Sequence, residues 1–144
     1  MKFFKTKKKA LGIPDRNKKS TIPVFKNGQW EFGVQEHLAG KAGLHYDLRL
    51  GNPEDKKAYS WALRYMPKPG EKRLAIRQPD HTIPYMGWQG TIPKGYGAGT
   101  VDVKYRGKAN IQVASPSKIN FVVDNTKFTL LKTDGDSWLL LNRG

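Results

Sequence analysis

Hydrophobic and polar residues alternate along much of the chain with a period of two, the spacing of a strand that buries one face. Gly43 to Leu50 alternates cleanly: Leu44, Tyr46, Leu48 and Leu50 form a natural core face, and His45, Asp47 and Arg49 line the other. Thr100 to Arg106 repeats the pattern, with Val101, Val103 and Tyr105 on one side and Asp102, Lys104 and Arg106 on the other. Trp30 to Gln35 carries strand-forming residues around Gly33, and Tyr59 to Arg64 is an apolar, aromatic run. The pattern predicts further strands over Lys72 to Arg77, Ile111 to Val113, Asn120 to Val123, Lys127 to Thr133 and Ser137 to Asn142. Pro67-Lys68-Pro69-Gly70 reads as a turn, and Asp134-Gly135 as the hairpin turn between the last two strands. No window shows a long helical stripe. Many short strands with frequent turn signals predict a mainly β chain, an antiparallel barrel or sandwich.

Composition narrows the class. The 144 residues suit one domain, and 38% hydrophobic with 11% aromatic content excludes a wholly disordered chain. No stretch approaches the roughly 20 apolar residues of a membrane span, and no apolar h-region follows Met1. An intracellular protein without a membrane partner is therefore expected, in the cytoplasm or nucleoid of a prokaryote, with nucleus and organelle left open. The absence of cysteine excludes disulfides, thiol catalysis and cysteine-bound zinc.

Charge points to a polyanion. Lys and Arg number 26 against 12 Asp and Glu, a net charge of +14, which fits nucleic acid better than a small neutral substrate. Lys2, Lys5, Lys7, Lys8, Lys9, Arg16, Lys18 and Lys19 crowd the start of the chain against Asp15 alone. Residues 1–22 are expected to form a flexible or loosely packed basic arm, and 23–144 a single domain.

His45, Asp47 and Arg49 are the most informative set. An imidazole and a carboxylate on one strand face can share a divalent metal, and this donor mix suits manganese, zinc, iron or nickel better than calcium. The guanidinium can clamp a phosphate beside the metal. The plain alternative is a solvated polar face with an Asp–Arg ion pair. The chain has only two other histidines. His37 is placed just past a strand end, in a loop that folds back toward the metal, and His81 in a turn-rich loop near Tyr85. The glycine-rich run Gly90 to Gly99 lacks the signature of a phosphate-cradling loop and reads as a tight turn bringing backbone close to a site. Of the four tryptophans, Trp88 is the one expected to be exposed.

Several motifs resemble, in order, the 3′-phosphoesterase module of bacterial DNA ligase D. They are Val34-Gln35-Glu36-His37, Leu44-His45-Tyr46-Asp47-Leu48-Arg49-Leu50, Ser60-Trp61-Ala62, Lys72-Arg73-Leu74-Ala75-Ile76, Asp80-His81 with Tyr85, Gly90-Thr91-Ile92-Pro93 and Tyr96-Gly97-Ala98-Gly99. The match spans about residues 32–107, with a weaker echo from Trp138 to Arg143. The resemblance implies a small antiparallel β-barrel with short helical or loop segments at its periphery. It implies an enzyme that removes 3′-terminal ribonucleosides and 3′-phosphates with manganese, leaving ligatable ends. By motif, His37, His45 and Asp47 are the metal ligands. Arg49 and His81 contact the scissile phosphate, with His81 protonated to donate to the leaving oxygen or hold the phosphate, and Tyr85 supports that site. Gln35 and Arg73 are substrate-binding residues.

The expected partners are DNA or RNA–DNA 3′ ends and a DNA ligase in trans, for a monomeric protein. The departures are a two-residue extension between His37 and His45, Pro79 before Asp80-His81, and a shortened Ile92-to-Tyr96 loop carrying Lys94. A family lysine corresponds to Arg64 or Lys68. The rival readings are a non-catalytic nucleic-acid-binding β-barrel and an inactive adaptor that recruits a ligase.

Overall fold

A computed structural model describes residues 27–95 and 97–144. The predicted basic arm over 1–22 lies outside the described residues. Among the described residues nine strands follow in chain order: β1 (Gly28–Ala39), β2 (Gly43–Asn52), β3 (Lys57–Leu63), β4 (Lys72–Thr82), β5 (Gly90–Ile92), β6 (Gly99–Ala114), β7 (Lys118–Val123), β8 (Thr126–Asp134) and β9 (Ser137–Asn142), with one 3₁₀ turn over Pro84–Gly87. Every pairing is antiparallel. β1 to β4 form one meander and β6 to β9 another. β4 pairs with β9 and β1 with β6, so eight strands close into a barrel and β5 adds to the free half of β6. Closure removes the open edges that a flat sheet would leave.

The barrel interior is the core. Phe32, Leu48, Leu50, Trp61, Ile119, Phe121, Leu130, Trp138 and Leu140 meet there. Trp61 and Trp138 pack edge to face at 5.4 Å between centroids, and Phe121 stacks on Phe128 at 5.3 Å. Both arrangements suit the ring quadrupole. Alternation then dictates the rest. Leu48 lies opposite Val34 and Trp61, both inside; its neighbour Asp47 lies opposite Gln35 and Ala62, on the outside of the same sheet.

The core face predicted for β2 ends sooner than its pattern suggests. Leu44 is 44% exposed, because the β1–β2 hairpin projects beyond the barrel and leaves Leu44 and its partner Leu38 without an interior to fill. The strands predicted over Thr100 to Arg106 and Ile111 to Val113 are one strand, β6. Its alternation also breaks. Gln35 pairs with Val103 but Val34 with Tyr105, so one extra residue, Lys104, bulges out. Val103 and Tyr105 therefore face opposite ways, and Tyr105 turns inward to meet Phe32 edge to face at 5.5 Å.

Candidate metal and phosphate site

The site lies on the outer face of β1, β2 and β3, and each strand positions part of it. His37 is not in a loop: β1 continues to Ala39, and His37 stands directly opposite His45 in the ladder. The two-residue extension needs no bulge. An even insertion in an antiparallel hairpin lengthens both arms equally and preserves the face of every residue below it. The rings lie 4.7 Å apart between centroids. Asp47 follows on the same face, with Oδ2 3.6 Å from His37 Nδ1 and Oδ1 3.5 Å from His45 Nε2.

The other nitrogen of each ring settles its tautomer. His37 Nε2 donates to the Gly97 carbonyl at 2.7 Å, and His45 Nδ1 donates to the Gly43 carbonyl at 3.3 Å. Each histidine thus turns a bare lone pair toward the Asp47 carboxylate, the arrangement found around bound metals. Two lone pairs and an anion converging without a cation repel one another, so the donor set fits a divalent metal. One atom from each of the three residues lies within 4.8 Å of the others. Neighbouring ligands of a cation held at about 2.1 Å stand somewhat over 3 Å apart, close to the 3.6 and 3.5 Å that separate Asp47 from the two histidines. The Asp47 hydrogen bond raises the pKa of His45 against the opposing effect of burial. Burial raises the pKa of Asp47, but His37, His45 and the Arg49 charge outweigh it and hold the carboxyl well below the usual range.

Arg49 is 3% exposed and gripped along its length. Its Nε donates to Gln35 Oε1 at 2.5 Å and its Nη1 to Ser60 Oγ at 2.6 Å, while Nη2 lies 3.5 Å from Asp47 Oδ2. The guanidinium also sits over the Tyr85 ring at 5.2 Å. This buried, fixed cation refutes the solvated polar face as a description of β2. Gln35 has no exposed surface. Its amide nitrogen donates to the carbonyls of Tyr85 at 2.9 Å and Trp88 at 2.8 Å. The side chain joins Arg49 to the 3₁₀ turn and holds both in place.

His81 lies in β4 rather than in a loop. Ser60 pairs with Gln78 but Ala58 with His81, so β4 carries one extra residue at Pro79–Asp80. Proline, lacking an N–H, is tolerated at such a bulge. Strict alternation would give His81 and Arg77 the same face. The bulge separates them: Asp80 pairs with Arg77 at 2.9 Å, while His81 Nδ1 reaches Arg49 Nη1 at 3.1 Å. His81 Nδ1 is also 3.1 Å from the Pro79 carbonyl. Arg49 can only donate and the carbonyl only accept, so each contact belongs to a different tautomer. Burial, reinforced by the Arg49 charge, pushes the His81 pKa down to about 3. The imidazole is therefore neutral in the free protein, and the expected protonated His81 is corrected for that state.

The ring of Tyr85 stacks on His81 at 4.8 Å. Burial raises the pKa of its phenol, partly offset by Arg49. Arg73 is not brought to this cluster. It lies on the opposite face of β4, paired with Glu71 at 3.3 Å and over the Tyr65 ring at 6.0 Å. Arg64 does approach the site, donating to the Ala42 and Leu44 carbonyls beside His45. Lys68 lies in the turn with Glu71. The residues that sequence reasoning missed are supports: Ser60 under Arg49, the Gly43 carbonyl behind His45, and Met86, buried over Gly33 and Gly51. Gly97 lies in the glycine-rich run, and its contact with His37 is the close backbone approach that the run predicted. The run also contains the short strand β5, which the sequence did not indicate.

The fold and site together describe a closed β-barrel bearing a His–His–Asp cluster and a buried arginine on its outer wall. The chain belongs to the family described as the DNA Ligase D 3′-phosphoesterase domain, whose profile matches residues 35–136. It is 33% identical over 136 residues to the multifunctional non-homologous end joining protein LigD of Mycolicibacterium smegmatis, covering 82% of this chain and 17% of that protein. It is 43% identical over 83 residues to the LigD protein of Pseudomonas aeruginosa, covering 56% of this chain and 9% of that one. The chain thus spans less than a fifth of the curated relatives it matches. Among the described residues no helix is long and apolar enough to cross a membrane.

Proposed function

We propose that this domain is a metal-dependent phosphoesterase that heals nucleic-acid 3′ ends, removing 3′-terminal ribonucleosides, 3′-phosphates or both to leave ligatable hydroxyls. Family membership supports end processing in DNA repair. The observation that carries the finer reading is the pair of tautomer-fixed histidines aimed at Asp47, with Arg49 held 3.5 Å beyond it.

His37 Nδ1, His45 Nε2 and an Asp47 oxygen would hold the metal, with manganese the best match to the family and the donor set. Bound there, a divalent cation would supply Lewis-acid polarisation of a phosphoester oxygen and positive charge near phosphorus. Arg49 supplies a second, permanent positive charge whose geometry is fixed before substrate arrives, so little reorganisation accompanies the reaction. Charge-assisted donation from Arg49 favours the His81 tautomer that accepts at Nδ1. That tautomer leaves Nε2–H as a neutral donor to a phosphate oxygen. A bound phosphate adds negative charge beside His81 and raises its affinity for a proton, restoring a general acid for the leaving oxygen. Tyr85 packs against both groups and keeps water from the Arg49–His81 contact. Gln35 is assigned to positioning Arg49, and Arg73, on the opposite face of β4, is left outside the proposed phosphate site.

The charge of +14 supports a nucleic-acid strand as substrate, held through its phosphates rather than by reading bases. A DNA ligase, in cis or in trans, is the expected partner that uses the product, and the protein acts inside the cell as a monomer. The test uses two 5′-labelled primer–templates, one ending in a 3′ ribonucleotide and one in a 3′-phosphate. Each is incubated with manganese, with EDTA, and with Asp47→Ala. Manganese-dependent conversion lost in EDTA and in the variant supports the proposal. No conversion with manganese, magnesium, zinc or nickel overturns it in favour of a binding role.

A further inference from the structure

Three aromatic rings run outward from the Arg49–His81 contact in a continuous stack. His81 lies on Tyr85 at 4.8 Å with 23° between planes, and Tyr85 on Trp88 at 5.5 Å with 14°. The inner two rings are accounted for by the site. The outermost is not: Trp88 is 37% exposed, whereas Trp30, Trp61 and Trp138 are buried in the barrel.

The backbone that carries the Trp88 indole is held firmly as well. Its carbonyl accepts from Gln35 Nε2 at 2.8 Å and its N–H donates to the Tyr85 carbonyl at 3.0 Å. The next residue is pinned as well, because Gln89 Oε1 accepts from the Val103 N–H at 3.2 Å. At Gly90, φ is +153° and a β-carbon would lie 3.0 Å from Trp88 Cζ2. The chain leaves that position without a side chain, and the indole occupies the space. An exposed large aromatic whose backbone is hydrogen-bonded at both its N–H and its carbonyl, and whose ring lies nearly parallel to a stack ending at a fixed arginine, has the makings of a binding platform. Ordering it on binding costs little, because it is already ordered.

We propose that the open surface of Trp88 stacks on the nucleobase of the nucleotide whose phosphate lies at Arg49. This rests on the reading of Arg49 and His81 as a phosphate site. A base is the natural extension of a ladder of flat rings. Every base has a π-face, so the contact adds affinity without sequence preference. It also gives the site a preference for nucleotide ends over free phosphate, which the metal and arginine alone lack.

Binding is tested on the full chain in EDTA, where turnover is suppressed, with two single-stranded oligonucleotides ending in a 3′-phosphate. One carries a base at its last nucleotide and the other is abasic there. Intrinsic fluorescence follows the titration, since the exposed indole is the one a base can quench. For the wild type, the base-bearing probe quenches the signal and binds about tenfold tighter than the abasic probe. Trp88→Ala loses that advantage and binds both probes alike, and Trp88→Phe keeps the advantage while losing the quench. Equal affinity of the wild type for both probes overturns the proposal, as does an equal loss on both in Trp88→Ala. The wild-type comparison decides the matter even if Trp88→Ala does not fold. A protein that discriminates the probes but never converts 3′ ends keeps the platform and loses the phosphoesterase reading. One that converts ends while ignoring the terminal base does the reverse.

Discussion

His37 and His45 face each other across the β1–β2 ladder, and each gives its outward ring N–H to a backbone carbonyl, Gly97 for one and Gly43 for the other. The backbone thus turns both free nitrogens inward onto Asp47 before any cation arrives. Manganese should bind the wild type and raise its melting temperature, with stabilisation reaching about 2.7 kcal/mol when the metal is at a hundred times its Kd. Asp47→Ala should abolish the shift and His37→Ala should weaken it. Calorimetric titration with manganese checks both, and an unchanged affinity in Asp47→Ala would falsify the cluster as a metal site.

Arg49 depends on its supports. Ser60→Ala removes the acceptor for Nη1 and leaves a buried charged donor short of a partner, at a cost of about 1–3 kcal/mol. Turnover should fall about tenfold or more, because the guanidinium is no longer fixed where charge develops. Thermal melts and kcat on the 3′-phosphate primer read the two effects. Full activity with a lowered melting temperature would show Ser60 to be structural only.

The 3₁₀ turn sits tightly on the sheet. A β-carbon at Gly51 would lie 3.0 Å from both Met86 Sδ and Glu31 Cβ, and 3.1 Å from Ile83 Cγ1. Gly51→Ala should therefore lift the turn, cost about 1–3 kcal/mol in stability, and loosen the Tyr85 ring from Arg49. The measurement is a denaturant titration combined with the activity assay. Wild-type values in both would contradict this packing.

His81 sets a pH limit. Its pKa falls from 6.5 to about 3 on folding, so the unfolded chain binds a proton that the folded chain refuses. Stability contributed by the neutral form is complete above 6.5 and lost as pH falls from there toward 3. His81→Asn should flatten that part of the curve of melting temperature against pH. In the wild type, inorganic phosphate should move the His81 titration upward by NMR. A His81 that titrates near 6.5 without phosphate would remove the basis for this limit.

Strand binding should be steeply salt-dependent. The counterion-release slope is about 0.7 per neutralised phosphate for a single strand, and the cluster of lysines before residue 20 carries a large share of the positive charge. Removing residues 1–22 should flatten a plot of log Kd against log salt without changing metal affinity. An unaltered slope would assign the nucleic-acid contacts to the barrel.

The sequence by itself determined the mainly β architecture and the set His45, Asp47 and Arg49. Both follow from local alternation, which a strand of period two writes directly into the order of residues. It also singled out Trp88 as the exposed tryptophan and Gly90 to Gly99 as backbone that approaches a site. It named His37 and His81 as site residues but put both in loops, because their placement depends on register. His37 sits opposite His45 because the hairpin extends symmetrically. His81 reaches Arg49, and Tyr105 turns into the core, because one extra residue in β4 and another in β6 reverse the faces beyond them. No local pattern marks a bulge, since an extra residue is recognisable only against the strand it fails to match. Burial was illegible for the same reason. Arg49 and Gln35 have the composition of a solvated face, and only the 3₁₀ turn folding back over the outside of the barrel makes that face an interior. The tertiary structure thus decided which charges are fixed and desolvated, because both properties come from neighbours distant in the chain.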